Sequence, residues 1–121
     1  MPEEAIGLIQ GMVPASVEEF RVANSLTKLG WDYIYQASVM GGRNLRGGQV
    51  IDFLVETVPV QTALYVQGEY WHRSATEQKD KLMQDITFGT LKLLVEVVTG
   101  DQLETQEESD SVILKIFGRS N

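Results

Sequence analysis

Four side chains that can hold a metal ion or move a proton lie near the ends of two apolar segments. Asp52 interrupts the apolar run VIDFLV. A second run, LYV, ends in Gln67 and Glu69, and His72, the only histidine of the 121-residue chain, follows. Mg²⁺ prefers oxygen ligands and needs one or two carboxylates from a protein, while an imidazole can take a proton from water near neutral pH. These residue types suit metal-assisted hydrolysis of a phosphodiester.

Each of these residues also has a purely structural interpretation. A carboxylate inside an apolar strand needs a partner, a metal ion or water. Asp52 would satisfy that need by accepting backbone N–H groups, for instance from the glycine-rich segment 41–48. His72 would stack beside Trp71 at the rim of the protein, and Glu19 would serve as the third residue of a helix-capping box.

The spacing of apolar residues predicts the elements that position these side chains. Ser16 and Glu19 form an S-x-x-E capping box, and the apolar residues that follow predict a helix over 16–29 with Gly30 as its C′ residue. The β-branched and aromatic segments 31–39, 49–56 and 62–69 are predicted strands. Segment 41–48 is predicted to be a loop or turn, and the short connection before residue 62 favours a hairpin.

The second half of the chain predicts a helix, a strand and a helix. Ser74 and Glu77 form another S-x-x-E box at the start of a helical pattern. The nearly continuous apolar run 90–98 is typical of a strand buried on both faces. Residues 99–111 are predicted to be an acidic loop, and the spacing in SVILKIFG predicts a short final helix that ends at Gly118.

This order of elements predicts an α/β fold with a mixed four-stranded sheet flanked by helices. The first three strands suit an antiparallel meander, and the helix before residue 90 suits a right-handed crossover to a parallel strand. The chain is predicted to form a single domain, 1–121, with a core at about 16–98 and the acidic loop and short helix at 99–121. In such a sheet Asp52, the edge with Gln67 and Glu69, and His72 cluster, and Glu19 reaches them from the first helix.

The composition sets limits on the class of protein. The chain is 43% hydrophobic and 22% charged, as in ordinary folded domains. It has no cysteine, which excludes disulfides and thiolate metal sites. No apolar run is long enough for a membrane helix, and the acidic N-terminus lacks the basic region of a signal peptide, so we expect a cytoplasmic protein without a membrane partner.

The net charge of −7 taken alone argues against binding to nucleic acid. Its distribution weakens that objection. Residues 20–98 hold eight acidic and eight basic residues, so the excess negative charge lies at the two ends of the chain.

Four segments of the sequence resemble a known family: SVEEF, LTKLGWDYIYQ, IDFLV and LYVQGEYWH. They are similar to the very-short-patch-repair endonuclease family and its relatives, including phage and mobile-element nucleases, which belong to the restriction-endonuclease-like (PD-(D/E)XK) superfamily. The resemblance covers about residues 16–98. Its most specific parts are the I-D-F-L-V strand and the motif G-x-[FY]-W-H after a strand.

The resemblance implies a restriction-endonuclease-like fold, a Mg²⁺ or Mn²⁺ cofactor and a role for each matching residue. Asp52 would be the primary metal-binding carboxylate, and Val66 would offer its backbone carbonyl to the metal. His72 would assist the attacking water, and Glu19 would hold a metal-bound water. Asp80 would be an additional acidic residue of the kind seen in the related phage nucleases.

The chain also departs from the family pattern. The superfamily's acid-x-lysine at the strand end corresponds here to residues 67–69, and the repair enzymes have a second histidine at the place of Gln67. Gln67 brings no charge to the site, so we expect a weaker affinity for the metal unless Glu69 compensates as a further metal ligand. The structural zinc site and the insertion that grips a mismatch are absent from the sequence, so mismatch specificity is not implied.

Several basic residues are candidates for contact with DNA phosphates. Arg43 and Arg46 lie in the glycine-rich segment, where the backbone can approach a phosphate closely. Arg73 and Lys79 follow the third strand, near the predicted active edge. The alternative for Arg43, Arg46 and Lys79 is an ordinary solvated surface.

Two functions follow from the sequence. The first is a metal-dependent endonuclease that hydrolyses DNA phosphodiester bonds. A domain of this size has no room for a separate recognition module, so specificity would come from a homodimer, a partner protein or the structure of the DNA. The second is a catalytically weak or inactive relative that binds DNA or a protein, with Gln67 marking the lost activity.

Overall fold

A computed structural model describes residues 6–39, 49–67 and 92–120 and shows an α/β fold. Its elements are, in chain order, α1 (Val17–Lys28), β1 (Tyr33–Val39), β2 (Gln49–Val55), β3 (Thr62–Gln67), β4 (Leu94–Thr99), a 3-10 turn (Gly100–Gln102) and α2 (Gln106–Phe117). The first helix and the four strands confirm the predicted elements to within a few residues at their ends. The helix predicted from Ser74 onward lies outside the described residues. Within the described ranges, no helix is long and apolar enough to cross a membrane.

The four strands form one mixed sheet in the order β1-β2-β3-β4. β1 pairs with β2, and β2 with β3, in antiparallel orientation, whereas β3 and β4 run parallel. The predicted meander, hairpin and parallel last strand are therefore confirmed. The connection from β3 to β4 is not among the described residues, so its handedness stays a prediction.

Both ends of α1 are encoded locally. At the N-terminus Ser16 Oγ accepts a hydrogen bond from Glu19 N at 3.1 Å, which satisfies one of the first backbone donors of the helix. At the C-terminus Gly30 has φ +86°, and the chain forms a Schellman motif. Its two bonds run from Gly30 N to Thr27 O at 3.1 Å and from Trp31 N to Leu26 O at 2.9 Å. The prediction of Gly30 as the C′ residue is confirmed.

The main core lies between one face of the sheet and the two helices. Val22 and Leu26 of α1 and Ile113 of α2 are fully buried there, against sheet residues such as Phe53 and Leu64. Burial of a side chain of this size stabilises the fold by roughly 1.5–3 kcal/mol. The apolar spacing of α1 therefore serves to fix this helix, and Glu19 in its first turn, against β1 and β2.

The two helices meet through polar side chains as well. Ser25 and Ser109 are fully buried, with their Oγ atoms 2.8 Å apart. Asp110 Oδ1 accepts hydrogen bonds from Ser25 Oγ at 2.6 Å and from Gln106 Nε2 at 3.0 Å. Asp110 Oδ2 accepts from Lys28 Nζ at 2.9 Å. These bonds set the register of α2 along α1.

The start of α2 differs from the predicted acidic loop over 99–111. The helix begins at Gln106, and Thr105 caps it by accepting a hydrogen bond from Glu108 N at 3.1 Å. Glu107 and Glu108 lie in the first turn, where negative charge is favourable at the positive end of the helix dipole. Acidic residues in this stretch therefore start the helix, whereas the apolar spacing that predicted it appears only from Val112 onward.

The prediction that the last strand is buried on both faces is wrong. Leu94, Glu96 and Val98 alternate onto the same face of β4, but only Val98 is buried, and Leu94 is 47% exposed. Val98 belongs to the core cluster that contains the helices. Of the described helices, α1 and α2 therefore cover only the C-terminal end of β4. The apolar run of β4 does not indicate burial along the whole length of the strand.

Candidate functional site

Asp52 lies where β2 and β3 cease to pair. The register of these strands covers Phe53 with Leu64, Leu54 with Ala63 and Val55 with Thr62, and Asp52 is the next residue of β2. There the side chain replaces the backbone as acceptor, because Val66 N donates to Asp52 Oδ2 at 2.8 Å. The carboxylate thus bridges two strands at the point where they separate.

This bond identifies one backbone group that satisfies the Asp52 carboxylate. One donor is a backbone N–H of β3, 14 residues later in the chain. The predicted donors of segment 41–48 lie outside the described residues, so that part of the interpretation stays a prediction. Asp52 is half-buried, so its carboxylate is not sealed in the core. The bond orients the carboxylate and is compatible with a second role in holding a ligand, since a carboxylate has two oxygens and about four acceptor positions.

Val66 and Gln67 end β3 beside Asp52. Both are half-buried, and both pair with the end of β4, Val66 with Val98 and Gln67 with Thr99. The carboxyl ends of adjacent parallel strands are a common location for ligand sites in α/β sheets. The structure places Asp52 next to Val66, and Gln67 follows Val66 at the end of β3. The predicted cluster with Glu69 and His72 stays a prediction.

Sequence analysis did not single out two polar residues at this edge, Thr99 at the end of β4 and Asp101 just after it. Thr99, the pairing partner of Gln67, caps the 3-10 turn, and its hydroxyl donates to Asp101 Oδ1. Asp101 had been assigned to an acidic loop. Only the parallel register of β3 and β4 shows that this carboxylate follows the strand next to Gln67.

The hydrogen-bond partner of Glu19 among the described residues lies on β1. Glu19 is only 8% exposed, and its carboxylate accepts a hydrogen bond from Tyr35 Oη on β1. Burial raises the pKa of Glu19, the bond from Tyr35 counteracts part of that rise, and the charge of Glu18 adds to it. Burial and the bond to Glu19 raise the pKa of Tyr35 to about 12, so its hydroxyl remains a donor at neutral pH. Glu19 is thus held by β1, one residue along the ladder from Asp52, since Tyr35 pairs with Phe53.

The remaining candidates lie outside the described residues. This holds for Glu69 and His72 of the predicted active edge and for the additional acidic residue Asp80. It also holds for the four basic candidates for DNA contact: Arg43, Arg46, Arg73 and Lys79. Their roles stay predictions.

The donors at the described edge fit a hard divalent cation by their chemistry. Asp52 supplies a carboxylate, Val66 a backbone carbonyl and Gln67 an amide carbonyl, all of them oxygen ligands of the type that Mg²⁺ and Mn²⁺ accept. Mg²⁺ usually keeps several waters, so a single protein carboxylate is compatible with binding. Among residues 6–39, 49–67 and 92–120, no three acidic, histidine or cysteine side chains form a group that could hold a metal ion.

Comparison of the chain with protein-family models, with curated proteins and with solved structures finds no match.

Proposed function

We propose that the protein is a metal-dependent endonuclease that hydrolyses DNA phosphodiester bonds on a restriction-endonuclease-like fold. The observation that carries this proposal is the position of Asp52, a half-buried carboxylate held by Val66 N–H where β2 and β3 separate. Its support from the fold is the helix followed by three antiparallel strands and a parallel fourth. Its support from the sequence is the resemblance to the very-short-patch-repair endonucleases.

In this proposal each candidate site residue has a separate task. Asp52, the Val66 carbonyl and Glu69 would hold the divalent cation, which would polarise the phosphate and lower the pKa of a water molecule. Glu19 would orient that water, and His72 would accept a proton from it. The basic candidates Arg43, Arg46, Arg73 and Lys79 would contact the DNA backbone.

A second candidate function is a nuclease-fold protein that binds DNA or a protein without cutting. The neutral Gln67 at the end of β3 favours it, because an amide attracts a cation less than a carboxylate does. The net charge of −7 favours a protein partner over DNA, because negative charge on the protein repels the phosphates of DNA.

A cleavage assay separates the two functions. Plasmid and branched DNA are incubated with Mg²⁺ or Mn²⁺ and with wild type, Asp52→Ala, His72→Ala or Asp32→Ala. Asp32 is the matched control, because it is an exposed aspartate just before β1, beside the end of β2 that lies away from Gln67. We expect wild type and Asp32→Ala to cut, and the other two variants to lose at least about 100-fold in rate. Equal cutting by all four preparations indicates a contaminant and refutes the endonuclease, and binding without cutting by wild type favours the second function.

A further inference from the structure

We propose that Tyr35 and Gln36 are positioning residues that hold the Glu19 carboxylate beside the strand segment that carries Asp52. The inference rests on the proposed endonuclease function and extends it to two residues for which the sequence resemblance supplied no role.

The first observation is the backbone of Gln36. Its φ is +56°, in the left-handed region, although it lies inside β1. The strand register around it joins Tyr35 to Phe53 and Ala37 to Ile51, so by position Gln36 stands opposite Asp52. A residue other than glycine is strained in this conformation, and such strain persists where the surrounding structure enforces it, often at functional sites.

The second observation is the effect of this backbone conformation on the side chains of β1. Neighbouring side chains of a regular strand point to opposite faces of the sheet. Gln36 departs from this rule, because its φ of +56° interrupts the extended backbone, and its side chain lies close to the hydroxyl of its neighbour Tyr35. The alternation of faces is broken here as well, since Tyr35 and Ala37 would share a face in a regular strand. Instead, Tyr35 packs in the cluster with the helices, whereas Ala37 packs in a separate cluster of mainly sheet residues.

The third observation is that Tyr35 is fixed along its whole length. Its backbone N donates to Gln10 Oε1 at 2.8 Å, and its ring packs on Phe53 with centroids 5.0 Å apart. Its Oη accepts from Ala15 N at 3.0 Å and donates to Glu19 Oε1. With Tyr35 only 2% exposed, the Glu19 carboxylate is held by a donor that has no room to move.

Together these contacts connect the start of α1 to the middle of the sheet. The donor to Glu19 sits on the residue that pairs with Phe53, and Asp52 is next to Phe53 in β2. A carboxylate that must orient water loses efficiency when it samples other rotamers, and loss of such a supporting contact typically lowers activity 10–100-fold.

A pair of glycine substitutions tests the strained residue. Gln36→Gly keeps the left-handed backbone and removes the side chain, because glycine adopts positive φ without strain. Lys92→Gly is the matched control, since Lys92 has φ +58° and is exposed just before β4. We expect both variants to melt at an unchanged or higher temperature, and only Gln36→Gly to cut DNA at least about tenfold more slowly. If Gln36→Gly does not fold, Gln36→Asn takes its place, because asparagine tolerates this backbone but is one methylene shorter.

A second measurement does not depend on catalysis. The side-chain carboxyl of Glu19 is titrated by carbon-13 NMR in the metal-free protein, with its signal assigned from Glu19→Gln. Tyr35→Phe should raise the pKa of Glu19, because it removes the donor to the carboxylate and leaves burial and Glu18 unopposed. Tyr33→Phe is the control, since its ring packs on Phe53 with centroids 5.5 Å apart and lies two residues away on the same strand.

The outcomes separate this inference from the proposed function. If wild type cuts and Asp52→Ala does not, yet Gln36→Gly and Tyr35→Phe cut like wild type, the positioning role is wrong and the endonuclease stands. An unchanged Glu19 titration in Tyr35→Phe also overturns the role. If wild type cuts no DNA with Mg²⁺ or Mn²⁺, the function and the role fall together.

Discussion

Replacing Asp52 by asparagine separates its structural task from its proposed task in binding metal. The new amide oxygen can still accept the Val66 N–H, which now donates to the carboxylate across 2.8 Å. A hydrogen bond to a charged acceptor contributes roughly 1.5–3 kcal/mol, against about 1 kcal/mol for a neutral one. In EDTA we therefore expect Asp52→Asn to lower the free energy of unfolding by about 1 kcal/mol. Asp52→Ala leaves the Val66 N–H unpaired and should lower it by about 2 kcal/mol.

Addition of Mg²⁺ then reports on the second task. A ligand at ten times its dissociation constant stabilises the folded state by about 1.4 kcal/mol, because it binds only that state. For a chain of 121 residues this corresponds to a rise in Tm of about 5 °C. We expect this rise in wild type and in the control Asp32→Asn, and no rise in Asp52→Asn.

Differential scanning calorimetry with and without Mg²⁺ measures both effects on the same samples. A Mg²⁺-dependent rise in Tm that survives in Asp52→Asn would show that the cation binds elsewhere, and the reasoning about this edge of the sheet would be refuted. If Asp52→Ala is as stable as wild type in EDTA, the bond to Val66 N–H does not hold the two strands together.

Three further predictions concern stability. Burial holds the pKa of Glu19 above its ordinary value of 4.5, so folding favours the protonated form, and this contribution is lost as pH rises through the folded pKa. Glu19→Gln should gain stability relative to wild type as pH is raised from about 4 to 7, measured by urea unfolding at each pH. Burial alone would raise the pKa of Asp110, but hydrogen bonds from Ser25 and its other partners lower it. Asp110→Ala should therefore lower the free energy of unfolding by about 2 kcal/mol at pH 7, and this loss should shrink below the ordinary pKa of 3.8. A constant loss in urea titrations across that pH range would contradict this. Ile113→Ala removes a fully buried side chain and should lower the free energy of unfolding by roughly 2–5 kcal/mol. Leu114→Ala, at a position 44% exposed, should change it by no more than about 0.5 kcal/mol. Equal losses in denaturant melts would contradict the assigned core face of α2.

Local patterns in the sequence were sufficient for much of the fold. The capping box at Ser16 and the glycine at position 30 predicted both ends of α1, because helix ends are decided by residues within one turn. The strands and their meander followed from β-branched segments joined by short connections. The same local rules placed Asp52 in a strand beside the end of β3.

Local sequence patterns did not predict the features that depend on contacts between residues far apart in the chain. The acid-rich stretch before Val112 resembled a loop, yet it forms the first turn of a helix whose Ser109 packs against Ser25, 84 residues away. The apolar run of β4 suggested burial on both faces, but Val98 is buried against the described helices whereas Leu94 is exposed. An apolar pattern shows which side chains prefer burial, whereas the position of other elements decides which of them are covered.

The candidate site divides in the same way. Residue types and spacing pointed to Asp52 and Glu19 as candidate carboxylates, since a carboxylate is rare in apolar surroundings, and the resemblance supplied their proposed roles. Only the tertiary structure showed that Asp52 bonds to Val66 N–H and that Glu19 bonds to Tyr35. The left-handed Gln36 was also hidden from the sequence, because a strained conformation is imposed by packing around a residue and has no signature in the residue itself.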